Sequence, residues 1–284
     1  MIHRRDLLNS VVTVSAAAAL VCDTARSAES EAGDSEIVDT NIHLFQWPFR
    51  RLPLDGLEAM LKKLRRLGIR QAWAASFEAV LHRDITAVNE RLVAACRPHA
   101  ELSPIGAVNL DLPDWEHDLK QCFQKHDLRG VRLYPNYHGY TLADPRFVSL
   151  LKRAAAAQRI VQIAGSMEDT RTQHPMMRLA DVDLSPLPDI LPGIDGAVVQ
   201  ILNGRLRGDL LQRLGETPGV YFDTARVEGT DSVAALIRSV PPGRVLFGSH
   251  APFLIPEAAL IRTIESQLTD EQLRSVLSEG SRNL

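Results

Sequence analysis

The stretch Glu36–Phe49, EIVDTNIHLFQWPF, decides how the rest of the chain is read. It opens on a short apolar strand, Ile37-Val38, and runs straight into Asp39-Thr40-Asn41-Ile42-His43. Side chains alternate faces along a strand, so Asp39, Asn41 and His43 are expected to point the same way. Three polar groups on one face of a buried strand are costly unless they have partners or work to do. That face is where chemistry is expected. The other reading is a hydrogen-bonded strand end that leads into a loop.

Outward from this strand, short runs rich in Val and Ile alternate with longer amphipathic runs. Strands are expected at Glu36–His43, Arg70–Ala75, Ser103–Val108, Gly130–Tyr134, Ile160–Ala164, Ala197–Leu202, Val220–Asp223 and Arg244–Gly248. Helical spacing follows nearly every one of them, for example Leu57, Met60, Leu61 and Leu64, then Ile85–Cys96, Trp115–Lys125, Arg146–Gln158 and Ser232–Ser239. Thr269 reads as the N-cap of a helix in the tail. Eight such units in about 250 residues have the rhythm of a single (β/α)8 TIM barrel. The near-continuous apolar strands suit parallel pairing with both faces covered. A doubly wound open sheet would carry a glycine-rich turn after its first strand, and residues 44–50 contain no glycine.

In a barrel the chemistry gathers where strands end and loops begin. Polar residues fall there repeatedly: Asn41 and His43; Asn109; Arg132, Tyr134, Asn136 and His138; Glu168 to His174; Asn203; Asp223 and Arg226; Ser249 and His250. His82, His99, His117 and His126 fall on or beside helices and are read as surface residues.

Composition narrows the function classes. The chain is 45% apolar and 24% charged, which is ordinary for a globular protein, and its net charge of −3 gives no footing for a nucleic-acid partner. The basic run Lys62–Arg66 reads as the wet face of a helix. Residues 1–30 read as an export signal. Arg4-Arg5 precedes the apolar run Val11–Cys22, with small residues after it, in the manner of a twin-arginine signal. An exported, periplasmic barrel over residues 31–284 follows, and the apolar run is too short to span a bilayer. Cys96 and Cys122 form no metal-type motif and are expected as buried free thiols.

Three stretches, Asp39–Phe49, Gly130–Tyr137 and Val245–Phe253, together with the closing Ser278–Leu284, resemble the amidohydrolase superfamily, in its branch of metal-dependent hydrolases, decarboxylases and lactonases. The resemblance spans Glu36–Leu284. It implies a divalent metal, zinc in the first instance, at an H-x-H pair after the first strand. Here that pair is Asn41-Ile42-His43. The strand-five histidine position falls at Ala164 or Gly165, the strand-six one at Asn203, and the strand-eight aspartate position at His250. The metal set that remains is His43, Asn41 and His250, while a catalytic zinc usually has three strong protein ligands. Some lactonases of the superfamily work without metal, and that mode suits these residues better.

The expected activity is hydrolysis of a small carbonyl substrate, a lactone, ester or amide, at the barrel mouth. His43, His250 and Asp223 are the expected catalytic residues, with Asp39 or Asp223 orienting an imidazole. Arg132 and Arg226 are expected to clamp a substrate carboxylate. Asn136, His138 and Asn203 complete the substrate contacts. The alternatives are a barrel that only binds a small ligand, and a decarboxylase of the same branch. The sequence leaves oligomeric state open.

Overall fold

In the computed structural model, which describes residues 36–284, the opening strand runs Ile37–Leu44 (β1) and is buried along nearly its whole length. The export signal expected over residues 1–30 lies outside the described residues. β1 pairs in parallel with β2 (Ile69–Ser76), and β2 with β3 (Leu102–Pro104). A second parallel sheet continues in chain order through β4 (Gly106–Ala107), β5 (Gly130–Leu133), β6 (Ile160–Ala164), β7 (Val199–Leu202), β8 (Val220–Asp223) and β9 (Val245–Leu246). The fold is therefore α/β with strands paired to their sequence neighbours, and helices make the crossovers that parallel pairing needs.

The helices form where the apolar spacing places them. In α1 (Leu57–Arg66), Met60, Leu61 and Leu64 are buried against the sheet. Its basic residues face outward as expected, with Lys63 and Arg66 paired to Glu257 and Arg65 to Glu101. In α2 (Ile85–Cys96), Asp84 caps the first turn by accepting from Ala87 N, and Val88, Leu92 and Cys96 are buried. Thr269 caps the helix Asp270–Arg274 through a reciprocal capping box with Gln272. Cys96 and Cys122 are free and buried. Among the described residues no helix is long and apolar enough to cross a membrane.

Two expected strands differ. The run Ser103–Val108 is two pieces that meet at Ile105: β3 bonds to β2, and β4 bonds to β5. Pro104 has no N–H to give. Asn89 of α2 then stands in for a strand neighbour, donating to Ala107 O at 2.9 Å and accepting from Ala107 N at 2.8 Å. The run Arg244–Gly248 keeps only Val245 and Leu246 as strand, because the chain turns at His250, whose φ is 55°.

The ladders consequently draw two sheets rather than one continuous closed ring. Backbone contacts join β1 to the segment after β9: Thr40 N to Phe247 O at 2.9 Å, His250 N to Asn41 O at 2.8 Å, and His43 N to Ala251 O at 2.9 Å. A side-chain relay also crosses the interior between the sheets. Arg132 Nε donates to Gln162 Oε1 at 2.8 Å, Gln162 Nε2 to Gln200 Oε1 at 2.7 Å, Gln200 Nε2 to Thr40 Oγ1 at 2.8 Å, and Thr40 Oγ1 to Phe247 O at 2.9 Å. Arg132, Gln162 and Gln200 sit side by side in the register of β5, β6 and β7. All four side chains are fully buried, so the relay is how the core keeps its polar groups satisfied.

Candidate active site

The strict alternation expected of β1 fails at an irregularity between Asp39 and Ile42, where its register against β2 slips. Such a slip re-aims side chains. Thr40 turns into the relay, while Asn41 and His43 reach the strand-end cluster. Asp39 parts from them: its Oδ1 accepts from Asn41 N and Ser249 N, both at 3.0 Å. It pins a loop and orients no imidazole, contrary to the expectation for it. Burial holds its carboxyl at about 6, above the usual range, with the two backbone donors opposing the shift.

Asn41 Nδ2 donates to Asp223 Oδ2 at 2.6 Å and to Asn203 Oδ1 at 2.9 Å. Asn203, held at φ 57°, donates its backbone N–H to Asp223 Oδ1 at 2.9 Å and its Nδ2 to Ser166 O at 2.8 Å. Asp223 is 4% exposed. Desolvation raises its carboxyl to about 7, against the pull of these donors and of the Arg132 charge. Arg226 lies nearby, buried, with Nη1 on Ser166 Oγ at 3.3 Å and Nε without a partner. Among the described residues no carboxylate pairs with it within 4.0 Å. Asp223 and Arg226 share a cleft of about 500 Å³ whose wall includes Ile201, Leu211, Phe222 and Leu236.

The imidazoles of His43 and His250 meet edge to face, with ring centroids 5.7 Å apart. The two ends of the chain's strand order thus converge on one place. His250 Nε2 lies 2.7 Å from Met167 O, so the proton sits on Nε2 and Nδ1 is left bare, buried and unpartnered. Burial holds His250 at about 3 and pushes His43 well below its usual value, with the Arg132 charge acting on both. Both rings are neutral at pH 7. Tyr134 Oη lies 3.1 Å from His43 Nε2. Phe77 stacks on the His43 ring at 4.5 Å and Phe253 on the His250 ring at 5.0 Å. Trp47 packs edge-on against Phe49, Phe77, Tyr137 and Phe253, and Arg50 reaches over Phe253 to pair with the buried Glu168. This aromatic cover leaves the imidazoles 0–1% exposed.

Three expected contacts lie elsewhere. Asn136 donates to Ala180 O and ties down the long loop after β6. His138 Nε2 lies 3.0 Å from Ala79 O, so it serves the turn Phe77–Val80, and burial lowers it to about 4. Arg132 is fully buried beneath His43 and cannot join Arg226 in a clamp on substrate. Of the helix-side histidines, His82 and His117 are exposed while His99 and His126 are half-buried.

A family profile described as amidohydrolase matches residues 38–284. The chain belongs to the amidohydrolase family. No curated protein matches it. Among solved structures, 2,6-dihydroxybenzoate decarboxylase from Rhizobium is 12% identical with a TM-score of 0.67, over 86% of this chain and 98% of that one. The 5-carboxyvanillate decarboxylase of Novosphingobium aromaticivorans, complexed with manganese and 4-hydroxy-3-methoxy-5-nitrobenzoic acid, is 12% identical with a TM-score of 0.71, over 89% and 96%. An uncharacterized TIM-barrel protein from Bordetella bronchiseptica is 13% identical with a TM-score of 0.66, over 88% and 98%. At such identities the likeness speaks for the fold alone.

The residues expected to hold a metal in this amidohydrolase do not fit one. The Arg132 Nη1 atom lies 3.1 Å from His43 Nε2 and 3.4 Å from Nδ1. A divalent ion ~4 Å from a guanidinium is repelled by about 8 kcal/mol at an effective dielectric of ~20. Asn41 turns its amide nitrogen, not its oxygen, toward Asp223, and His250 has only Nδ1 to offer, since Nε2 donates to Met167 O. Among the described residues no group of three or more His, Cys, Asp or Glu is placed to share an ion.

The sequence reading missed Ser166 and the polar interior of Thr40, Gln162 and Gln200. A signal for two of them was present: Val161-Gln162-Ile163 and Val199-Gln200-Ile201 repeat one pattern, a lone amide at the centre of an apolar strand. A lone amide there needs a partner, and each is the other's.

Proposed function

We propose that this amidohydrolase is an enzyme acting by hydrolysis on a small carbonyl compound that carries a carboxylate. The observation that carries the reading is that Asp223 and Arg226 both line one cleft. Arg226 is buried with no carboxylate among the described residues within 4.0 Å and with Nε unpartnered, so its donors are free to take a substrate carboxylate. Asp223 is a carboxyl that changes charge near neutral pH, as a general acid–base should. In the proposed step a water adds to the substrate carbonyl and gives its proton to ionised Asp223. The protonated Asp223 then returns that proton to the departing oxygen or nitrogen. Asn41 and Asn203 hold the carboxyl in place, and His250, whose backbone N–H donates to Asn41 O at 2.8 Å, carries a bare, buried Nδ1. No step passes through a metal.

Two supports extend the reading. The interior relay and the backbone bonds between β1 and the segment after β9 favour treating the two sheets as parts of one (β/α)8 barrel with its mouth at this site. The twin-arginine-like residues 1–30 support a periplasmic location for the enzyme, which fractionation of the producing cell checks. A decarboxylase is the second reading, favoured by the two decarboxylases among the structural neighbours. There protonated Asp223 delivers its proton to the carbon that loses CO₂. A panel of lactones, esters, amides and aromatic carboxylic acids, with product acid and CO₂ followed separately, tells the two apart. The reading expects turnover that falls at least tenfold in His250→Ala. Activity unchanged in that variant, or no turnover of any panel member, counts against it.

A further inference from the structure

The relay across the interior has one polarity. Phe247 O can only accept, so Thr40 Oγ1 donates to it and must accept from Gln200 Nε2. That turns Gln200 Oε1 toward Gln162 Nε2, and Gln162 Oε1 toward Arg132 Nε. Every acceptor in the chain faces back along it to the guanidinium. Arg132 also donates to Ile42 O at 3.0 Å and toward Thr40 O at 3.4 Å. It is fully buried, yet no carboxylate among the described residues pairs with it within 4.0 Å; its direct partners are neutral oxygens and His43. Such a cation keeps its charge for the site instead of spending it in an ion pair, and oriented dipoles hold it there.

We propose that Arg132 is the fixed cation of this active site, standing where a divalent ion would meet His43. It is a positioning residue. A guanidinium has no lone pair to offer. Of the two His43 ring nitrogens Nε2 is the nearer to it, at 3.1 Å against 3.4 Å. Nε2 is therefore assigned as the bare nitrogen, to which Tyr134 Oη can also donate, and the ring proton is assigned to Nδ1. Arg132 thereby fixes both the tautomer of His43 and the exclusion of metal from it. The inference rests on the proposed function only in treating His43 as part of the working site, and its test needs no substrate.

Full-length protein is stripped with chelator, dialysed against zinc or manganese chloride, and assayed for bound metal. The same protein labelled with ¹⁵N-histidine is examined by NMR, beside Arg132→Lys and Arg132→Met. The proposal expects metal well below one ion per chain, His43 protonated on Nδ1, that tautomer kept in Arg132→Lys, and its preference lost in Arg132→Met. One tightly held ion per chain that shifts the His43 resonances overturns it, as does an Nε2-protonated His43 in the wild type. So does a His43 tautomer indifferent to Arg132→Met. Should Arg132→Met fail to fold, the wild-type tautomer, the metal content and Arg132→Lys still decide. Absence of turnover alongside the expected NMR and metal results would sink the hydrolase reading and leave this one standing.

Discussion

Asp223→Asn should flatten the fall of stability with rising pH while removing activity. The Asp223 carboxyl stands at about 7 in the fold against 3.8 as a free side chain. A raised folded value means the fold prefers the protonated form. Its contribution is whole below pH ~4 and is lost as pH climbs through ~7. At about 1.36 kcal/mol per unit, the wild type should lose about 4 kcal/mol relative to Asp223→Asn between roughly pH 4 and pH 8. The variant's Oδ1 can accept from Asn203 N, but its amide nitrogen then faces Asn41 Nδ2, and turning the Asn41 amide over would set its oxygen against Asn203 Oδ1. That mismatch lowers the variant by the same amount at every pH and leaves the difference in slope intact. Urea unfolding of both proteins across that pH range, read by circular dichroism, measures the difference. Curves that stay parallel would show that Asp223 is an ordinary ionised carboxylate. The account of it as an acid–base near neutrality would then be wrong.

Arg226→Met should raise KM for a carboxylate substrate roughly 10- to 150-fold, the loss expected for ~1.5–3 kcal/mol of charged hydrogen bonding. Steady-state kinetics with the acid and its neutral amide check this, since the amide should be indifferent to the change. His138 and His250 are held at about 4 and about 3, below their usual 6.5. The neutral forms are favoured, so this stability is whole above pH ~6.5 and disappears as pH falls through those values. His138→Gln, which keeps a donor for Ala79 O, should relieve about 3 kcal/mol of that acid loss, seen as a lower midpoint in acid unfolding. Trp47→Ala opens the aromatic cover and should cost about 3–5 kcal/mol in urea unfolding, with faster modification of the buried imidazoles by diethyl pyrocarbonate.

Much of the scaffold could be read from side-chain pattern alone. Ile160–Ala164, Val220–Asp223, Ile85–Cys96 and Ser232–Ser239 form with the expected bounds. Their apolar spacing and flanking turns leave few competing structures. The break at Ile105 could not be read, because it depends on Asn89 arriving from another element to satisfy Ala107. The meeting of His43 and His250 was legible from strand order. The partners of each polar group were not. Asp39 and Asn41 part company through a register slip, and His138 follows the turn at Ala79, both of which are set by packing. Arg132 read as a substrate clamp because a strand-end arginine gives no sign of its depth. Its neighbours in register, Gln162 and Gln200, carried that information.

The most direct measurement is the rate of hydrolysis against pH in excess chelator, for the wild type and Asp223→Asn. The account predicts that wild-type turnover survives chelation and breaks near pH 7, and that Asp223→Asn loses both the rate and the break. Turnover that stops with chelator and returns with manganese, with Asp223→Asn following the wild-type profile, would contradict it.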